Sequence, residues 1–297
     1  MRRSETPRDR PPLESLLFLV GTPLSHSLSP AMHNAVIARR GLPLRYVPIE
    51  LAREALPAFL RVVRSANILG GNVTIPYKEE AARLADIRSE AVRFCGAANV
   101  LAVRRGRIRA ENTDGPGFLD ALASLGWGTR FRRVVLLGAG GAARGIAYAL
   151  GRRGTRELVV LNRNVERAEG LAASLASRCP RVRLSAGELS RARMLREFPG
   201  ADLIVQSTAL GLKTEWRNFP VEGVKPGTRV ADIVYRRGGT ALVRELRRRG
   251  VPAVDGLPML ASQAARSFTV WTGIRVPAEE FLRAARRSRG PGGAKGS

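Results

Sequence analysis

The sequence predicts an α/β chain folded as two lobes, and three observations carry that prediction. Short runs of leucine and β-branched residues alternate with alanine-rich, arginine-studded stretches of helical character, the pattern of a mostly parallel sheet flanked by helices. A glycine-rich turn, Gly138 to Gly141, joins the apolar run Val134 to Leu137 to a helical stretch Ala142 to Leu150, and a second apolar run, Leu158 to Leu161, completes a βαβ unit. The 297 residues amount to about two domains of ordinary size, each large enough for its own core.

In chain order, Leu17 to Val20, Tyr46 to Ile49, Gly71 to Ile75, Val100 to Val103 and Arg107 to Ala110 read as strands, too many for an arm, so residues 1–114 are expected to form a lobe with its own sheet. The βαβ unit and the later strands Leu203 to Val205, Val230 to Val234 and Val251 to Val254 predict a Rossmann-like, doubly wound domain over 115–255. The last helix is read as Pro258 to Thr272, with proline at a favoured first position and Gly273 just past the end. Its apolar face, Leu260, Ala264, Phe268 and Trp271, needs a partner, so 256–297 is expected to return and complete the first lobe. About a dozen leading residues and the Gly/Arg-rich stretch after Arg287 are read as disordered tails.

Composition fits a folded soluble chain: 44% hydrophobic and 25% charged. The unusual feature is a net charge of +25, which raises the question of nucleic acid. Only Lys78, Lys213, Lys225 and Lys295 are lysines, and the 46 arginines lie along most of the chain. Aromatics are 5% and none is interleaved with the arginine runs as a base-stacking platform, so the excess reads as solvated surface with no specific nucleic-acid partner. Cys95 and Cys179 have no metal-ligand spacing and suit a reducing compartment, so no metal is expected. The run Leu16 to Val20 is too short for a signal sequence, and no apolar stretch is long enough to span a bilayer, which predicts a cytoplasmic protein without a membrane partner.

In the glycine turn, Gly138 permits the tight strand-to-helix reversal, Gly140 lets backbone approach a pyrophosphate, and the helix N-terminus supplies N–H donors. Glycine turns also serve plain packing, but between a strand and a helix the dinucleotide reading is favoured. Where an NAD site places a carboxylate for the ribose 2′-hydroxyl, this chain has Asn162-Arg163-Asn164 and, one turn on, Arg167. A guanidinium suits a 2′-phosphate, which favours NADP; Asn164 also reads as an N-cap.

In Asn72-Val73-Thr74-Ile75-Pro76-Tyr77-Lys78 the helix is predicted to begin near Pro76, putting Lys78 in its first turn. The dipole disfavours an ammonium there and so favours proton release, chemistry open to lysine and closed to arginine; the plainer alternative is a surface lysine. Asn112-Thr113-Asp114-Gly115 reads equally as a turn or a site. In Ser25-His26-Ser27-Leu28-Ser29-Pro30, Ser29 is the expected N-cap and Pro30 the first helical residue. His26 and His33, the only histidines, are assigned no catalytic role.

Taken together, Ser27-Leu28-Ser29-Pro30, Gly71 to Lys78, Gly96-Ala97-Ala98-Asn99, Asn112 to Gly115, the glycine turn, Asn162-Arg163, Asp232-Ile233-Val234-Tyr235 and Gly256 through Gln263 to Gly273 resemble the shikimate dehydrogenase family, over about Phe18 to Gly273. The resemblance implies Lys78 and Asp114 as the catalytic pair. It implies Ser27, Ser29, Thr74, Asn99, Tyr235 and Gln263, with that pair, as contacts to the substrate, a polyhydroxylated carboxylate. On the NADP side it implies Gly138, Ala139, Gly140, Gly141 and Ala142, the pocket Asn162, Arg163, Asn164 and Arg167, and also Glu90, Ile233 and Gly256. The implied reaction is reversible NADPH-dependent reduction of 3-dehydroshikimate to shikimate, with the lobes closing on the ligands. The chain departs from the family at Asn164, where threonine is common, at Ala98, and at Gln206-Ser207-Thr208-Ala209. A quinate or aminoshikimate dehydrogenase of the same family and an RNA-interacting dinucleotide-binding protein remain as alternatives, and a homodimer is left open.

Overall fold

The computed structural model of the chain describes residues 15–208, 210, 218–236 and 238–288. The expected tails and Ala209 fall outside them, apart from Ser288. The first lobe runs β1 (Ser15–Val20), α1 (Ser29–Arg39), β2 (Leu44–Ile49), α2 (Leu56–Ser65), β3 (Ile68–Val73), α3 (Lys78–Leu84), β4 (Ile87–Arg88), α4 (Glu90–Cys95), β5 (Val100–Arg104) and β6 (Arg107–Glu111). Helix α5 (Asp114–Ser124) leads to β7 (Arg133–Leu137), α6 (Gly141–Arg152), β8 (Glu157–Asn162), α7 (Val165–Arg178), β9 (Arg183–Glu188), α8 (Arg191–Glu197), β10 (Leu203–Gln206), β11 (Arg229–Asp232), α9 (Ala241–Arg248) and β12 (Ala253–Val254). Helices α10 (Leu257–Thr272) and α11 (Ala278–Arg287) follow.

The second sheet is wholly parallel, in the order β12-β11-β10-β7-β8-β9, the doubly wound arrangement with its switch point between β7 and β10. Alternation along β7 explains the three layers: Val134 and Leu136 face the core under α5, α6 and α7, while Val135 and Leu137 face that under α8 and α9. The first sheet, β2-β1-β3-β5-β6-β4, is mixed: three of its five pairings are parallel, as expected for most of the sheet, and β5 runs antiparallel to both β3 and β6. The β5–β6 connection is a tight hairpin at Arg105 and Gly106, both at positive φ, which forces the reversal.

Helix α10 does return to the first lobe. Ala261, Ala264, Phe268 and Trp271 join its core, and the Trp271 indole donates to the Leu101 carbonyl at 2.9 Å. It is not the last helix, however: α11 follows and buries Phe281 and Ala285 in the same core. Its charged sequence hides this, since a narrow apolar stripe carries the contact. Strand β9 also went unpredicted, because Arg183 to Glu188 is a polar edge segment. Strands β3 and β11 stop two residues short of the expected ends, at Val73 and Asp232. At α1 the N-cap is Leu28 and Ser29 already helical; Ser27 Oγ accepts the Ser29 N–H at 3.3 Å in place of the expected Ser29 cap.

Where the lobes join, bulk is absent by necessity: a Cβ on Gly115 of α5 would sit 2.1 Å from the Gly145 carbonyl of α6. In the first core, His33 is 1% exposed and stacks on Tyr46 with ring centroids 4.3 Å apart, flanked by Trp271 and Phe281. Burial drives its imidazole down to a pKa of about 3, so the folded protein holds it neutral where the unfolded chain protonates it. The unfolded state then binds more protons below its ordinary value of 6.5, and stability falls as pH drops from there toward 3. From this group alone the loss between pH 7 and 5 is about 2 kcal/mol. Urea unfolding of His33→Leu at both pH values should show a pH-dependent loss smaller by that amount; an unchanged difference would remove His33 as its source.

Candidate active site

The topology of the first sheet brings the chemistry to one edge. Strands β1, β3 and β6 point the same way and β5 the other, so the segments after β1, β3 and β6 and the residue before β5 meet at that edge. They carry Ser27 and Ser29, Thr74 and Lys78, Asp114, and Asn99.

The Asp114 side chain is 3% exposed and receives three donors. Lys78 Nζ lies 2.9 Å from Oδ2, while Asn99 Nδ2 at 2.9 Å and Gln263 Nε2 at 2.7 Å both donate to Oδ1. A nearly buried carboxylate requires such partners. Lys78 keeps 20% of its side chain exposed, so it is paired with the carboxylate without being sealed from solvent. It lies in the first turn of α3, as expected, although the helix begins at Lys78 and not near Pro76; that helix has only seven residues, and Glu79 and Glu80 share its first turn. The ion pair, rather than the dipole, is therefore its principal electrostatic contact. Asp114 does not sit in a turn: it opens α5, its N–H donating to Asn112 Oδ1 at 3.0 Å.

Behind this cluster lies a polar frame in which the sequence reading gave Asn112 and Asn72 no individual role. Asn112 Nδ2 donates to the Ala97 carbonyl at 3.0 Å, and Asn99 Oδ1 accepts the Thr113 N–H at 2.8 Å. Asn72 is the hub of the other side. Its Oδ1 accepts the Tyr46 hydroxyl at 2.8 Å, and its Nδ2 donates to the Asn99 carbonyl at 3.0 Å and to Ser267 Oγ at 3.1 Å. An asparagine in a strand position beside two glycines was the available signal. Of the other predicted residues, Thr74 packs against Gly21 at the end of β3, and its N–H donates to the Val20 carbonyl at 2.9 Å. Tyr235, beyond β11, reaches across to hydrogen-bond the backbone of Leu28, and burial pushes its phenol up.

The second lobe presents the C-terminal ends of its parallel strands. Gly138 has φ +111° and a Cβ there would lie 2.8 Å from Ser207 Oγ, so glycine is required for the turn. Gly140 caps α6 with no side-chain hydrogen bond, and a Cβ there would meet nothing within 4 Å. That open space before uncapped helical N–H groups, with Ala139 and Ala142 small on either side of Gly140 and Gly141, fits a pyrophosphate. Ile233 and Gly256 lie beside the turn: the Ile233 N–H donates to the Gln206 carbonyl at 2.9 Å, and a Gly256 Cβ would sit 2.0 Å from the Ile233 carbonyl. At the end of β8, Asn162 Nδ2 donates to the Asn164 carbonyl at 2.8 Å, and Asn164 Oδ1 accepts the Arg167 N–H at 2.8 Å. Arg163 and Arg167 are exposed, with no ion pair among the described residues. Glu90 is not brought to this group. It accepts the Tyr148 hydroxyl at 2.6 Å, two turns along α6 from the glycine turn, near Arg152 and Arg178. Among the described residues no cluster of His, Cys, Asp and Glu forms a metal site, and no helix is long and apolar enough to cross a membrane.

Comparison with known proteins matches residues 19–101 to the shikimate dehydrogenase substrate binding domain, 122–211 to shikimate/quinate 5-dehydrogenase and 256–286 to the shikimate 5′-dehydrogenase C-terminal domain. A shikimate dehydrogenase (NADP(+)) of Rubrobacter xylanophilus is 43% identical over 88% of this chain and 91% of its own length. The chain belongs to the shikimate dehydrogenase family. Among solved members, the shikimate 5-dehydrogenase of Thermus thermophilus in complex with NADP(H) and shikimate superposes with a TM-score of 0.81 at 36% identity, covering 92% of this chain and 99% of that one. The quinate dehydrogenase of Corynebacterium glutamicum in complex with NAD superposes with a TM-score of 0.83 at 28% identity, covering 91% and 98%. The fold is thus shared by shikimate and quinate enzymes, and the site must separate them.

Replacing Asn72 by leucine leaves the part-buried Tyr46 hydroxyl without its acceptor and the Asn99 carbonyl with one donor, the Val73 N–H, in place of two. Asn72→Leu should lower unfolding free energy by about 1–3 kcal/mol and kcat/KM by roughly tenfold. Urea unfolding and steady-state kinetics check this; wild-type values in both would show that Asn72 holds nothing in place.

Proposed function

We propose that this chain catalyses the reversible reduction of 3-dehydroshikimate to shikimate with NADPH, and the observation that carries the reading is the Lys78–Asp114 pair at 2.9 Å in the cleft edge. NADPH, when bound, supplies the hydride to the ring carbonyl carbon. Lys78 Nζ hands a proton to the carbonyl oxygen as charge develops there, and takes it back in the reverse direction. Asp114 fixes the ammonium and accepts from the neighbouring hydroxyl of the substrate. Ser27, Ser29, Thr74, Asn99, Tyr235 and Gln263 are assigned to the remaining hydroxyls and the carboxylate, a polar lining that rejects analogues lacking those groups.

Gly138 to Ala142 are assigned to the pyrophosphate, Ile233 and Gly256 to the nicotinamide side, and Asn162, Arg163, Asn164 and Arg167 to the adenosine 2′-phosphate. The absence of a carboxylate at 162–164 supports NADP over NAD, and with it shikimate over quinate. Glu90 stands apart from this assignment. The domains are taken as 1–114, 115–255 and 256–297, with α5 shared at the first boundary because Asp114 is its first residue. A cytoplasmic location and small-molecule partners without specific nucleic acid go with this reading, and a homodimer is compatible with it.

Lys78→Ala should lower kcat by about a hundredfold or more with KM little changed, as loss of acid-base catalysis requires. Near-normal turnover would return Lys78 to an ordinary surface role. Shikimate oxidation with NADP should exceed that with NAD at least about tenfold in kcat/KM, in line with charge-assisted guanidinium contacts to the phosphate. A panel of shikimate, quinate and aminoshikimate with both cofactors tests both assignments, and equal use of NAD would overturn the pocket at Arg163.

A further inference from the structure

The parallel sheet of the second lobe has two edges, and the proposed chemistry uses one. At the other, where β8 and β9 begin, a cavity of about 780 Å³ opens between the C-terminal ends of α6 and α7. The six residues of β8 separate it from Asn162 by about 20 Å. Arg152, Arg156, Arg178, Arg181 and Arg183 are five of its eleven lining residues, and none of the eleven is acidic. That share is roughly three times the chain's own arginine frequency, so composition alone does not account for it.

Helix dipoles explain two of these cations, since Arg152 and Arg178 lie in the last turns of α6 and α7. Arg156, Arg181 and Arg183 lie outside helices and have no such reason. Among the described residues only Arg183 has an ion-pair partner, Glu157 at 3.7 Å, and Glu157 is held closer by Arg133 at 2.9 Å. Glu90 feels Arg152 and Arg178 at longer range. Thr155 lines the same cavity; it is 2% exposed, and its hydroxyl has no hydrogen-bond partner. Like charges gathered in one concavity, with an unsatisfied hydroxyl among its lining residues, call for an anion that accepts hydrogen bonds.

We propose that this cavity binds a small molecule carrying two or more phosphate groups, at a site separate from the dinucleotide cleft. Guanidinium forks match phosphate oxygens in pairs, and the volume is that of a small-molecule pocket. The lining has no aromatic residue on which bases could stack, which disfavours single-stranded nucleic acid.

Calorimetry in 0.15 M NaCl with saturating NADP, using inorganic tripolyphosphate and ATP as probes, tests this. At least one should bind at a single site with Kd below roughly 0.1 mM. Arg156→Gln combined with Arg181→Gln should weaken it about tenfold or more and leave kcat for shikimate within about twofold. Thr155→Val should also weaken it, while Arg163→Gln combined with Arg167→Gln should not. Binding of both probes identifies the phosphate chain as the recognised group; binding of ATP alone identifies a nucleotide. No binding, or binding indifferent to the Arg156 and Arg181 changes, overturns the proposal. So does a single-stranded RNA oligonucleotide that displaces both probes in the same salt, which would assign the arginines to nucleic acid.

Discussion

The structure of the cleft depends on one carboxylate. Asp114 is almost fully buried, and a buried charge persists only where donors surround it. Its donors come from α3, from the segment before β5 and from α10, so satisfying one side chain fixes three parts of the chain against α5. The polar frame behind them, with Asn72 and Asn112 tied to backbone carbonyls, keeps those donors from drifting. Removing any one donor leaves the others to hold the charge with imperfect geometry, which is why this constellation is more demanding than a surface ion pair of the same length.

Around it, the two sheets turn their functional edges toward each other. Helix α5 is the shared element: it starts at the carboxylate and packs against α6 through the glycine pair Gly115 and Gly145, where side chains would not fit. Arg144 of α6 reaches the Cys95 carbonyl at 3.3 Å, and Tyr235 meets the backbone of Leu28 on the far side. Lys78 and the turn at Gly140 thus belong to two lobes that meet through α5, α6 and Tyr235.

Much of this was legible in the sequence because the relevant signals are local. The βαβ unit, the glycine turn, the Asn164 cap and the return of α10 follow from patterns within about thirty residues. What escaped was nonlocal or weakly patterned. Strand β9 is held by its pairing with β8 and not by its own composition, and α11 by a stripe too narrow to stand out among charges. The antiparallel placement of β5 rests on the tight Arg105–Gly106 hairpin on one side and on pairing with the distant β3 on the other. Asn72 and Asn112 gain their roles only when residues from distant segments converge, and Glu90 fell to Tyr148 because the family pattern carries no distance. The large positive charge, by contrast, says little about the Asp114 cluster, where the paired cation is a lysine.

The position of Gln263 along the chain has a consequence for biosynthesis. Synthesis runs from the N-terminus, and the second lobe's sheet is complete at β12, before α10 emerges. Until then the first lobe lacks the helix that supplies Phe268 and Trp271 to its core and one of the three donors to its carboxylate. A chain released early would carry a finished second lobe and an unfinished first lobe. The fold thereby ties completion of the first lobe to the synthesis of α10, so that a product interrupted before it holds the second sheet without the Gln263 donor or the Phe268 and Trp271 contacts.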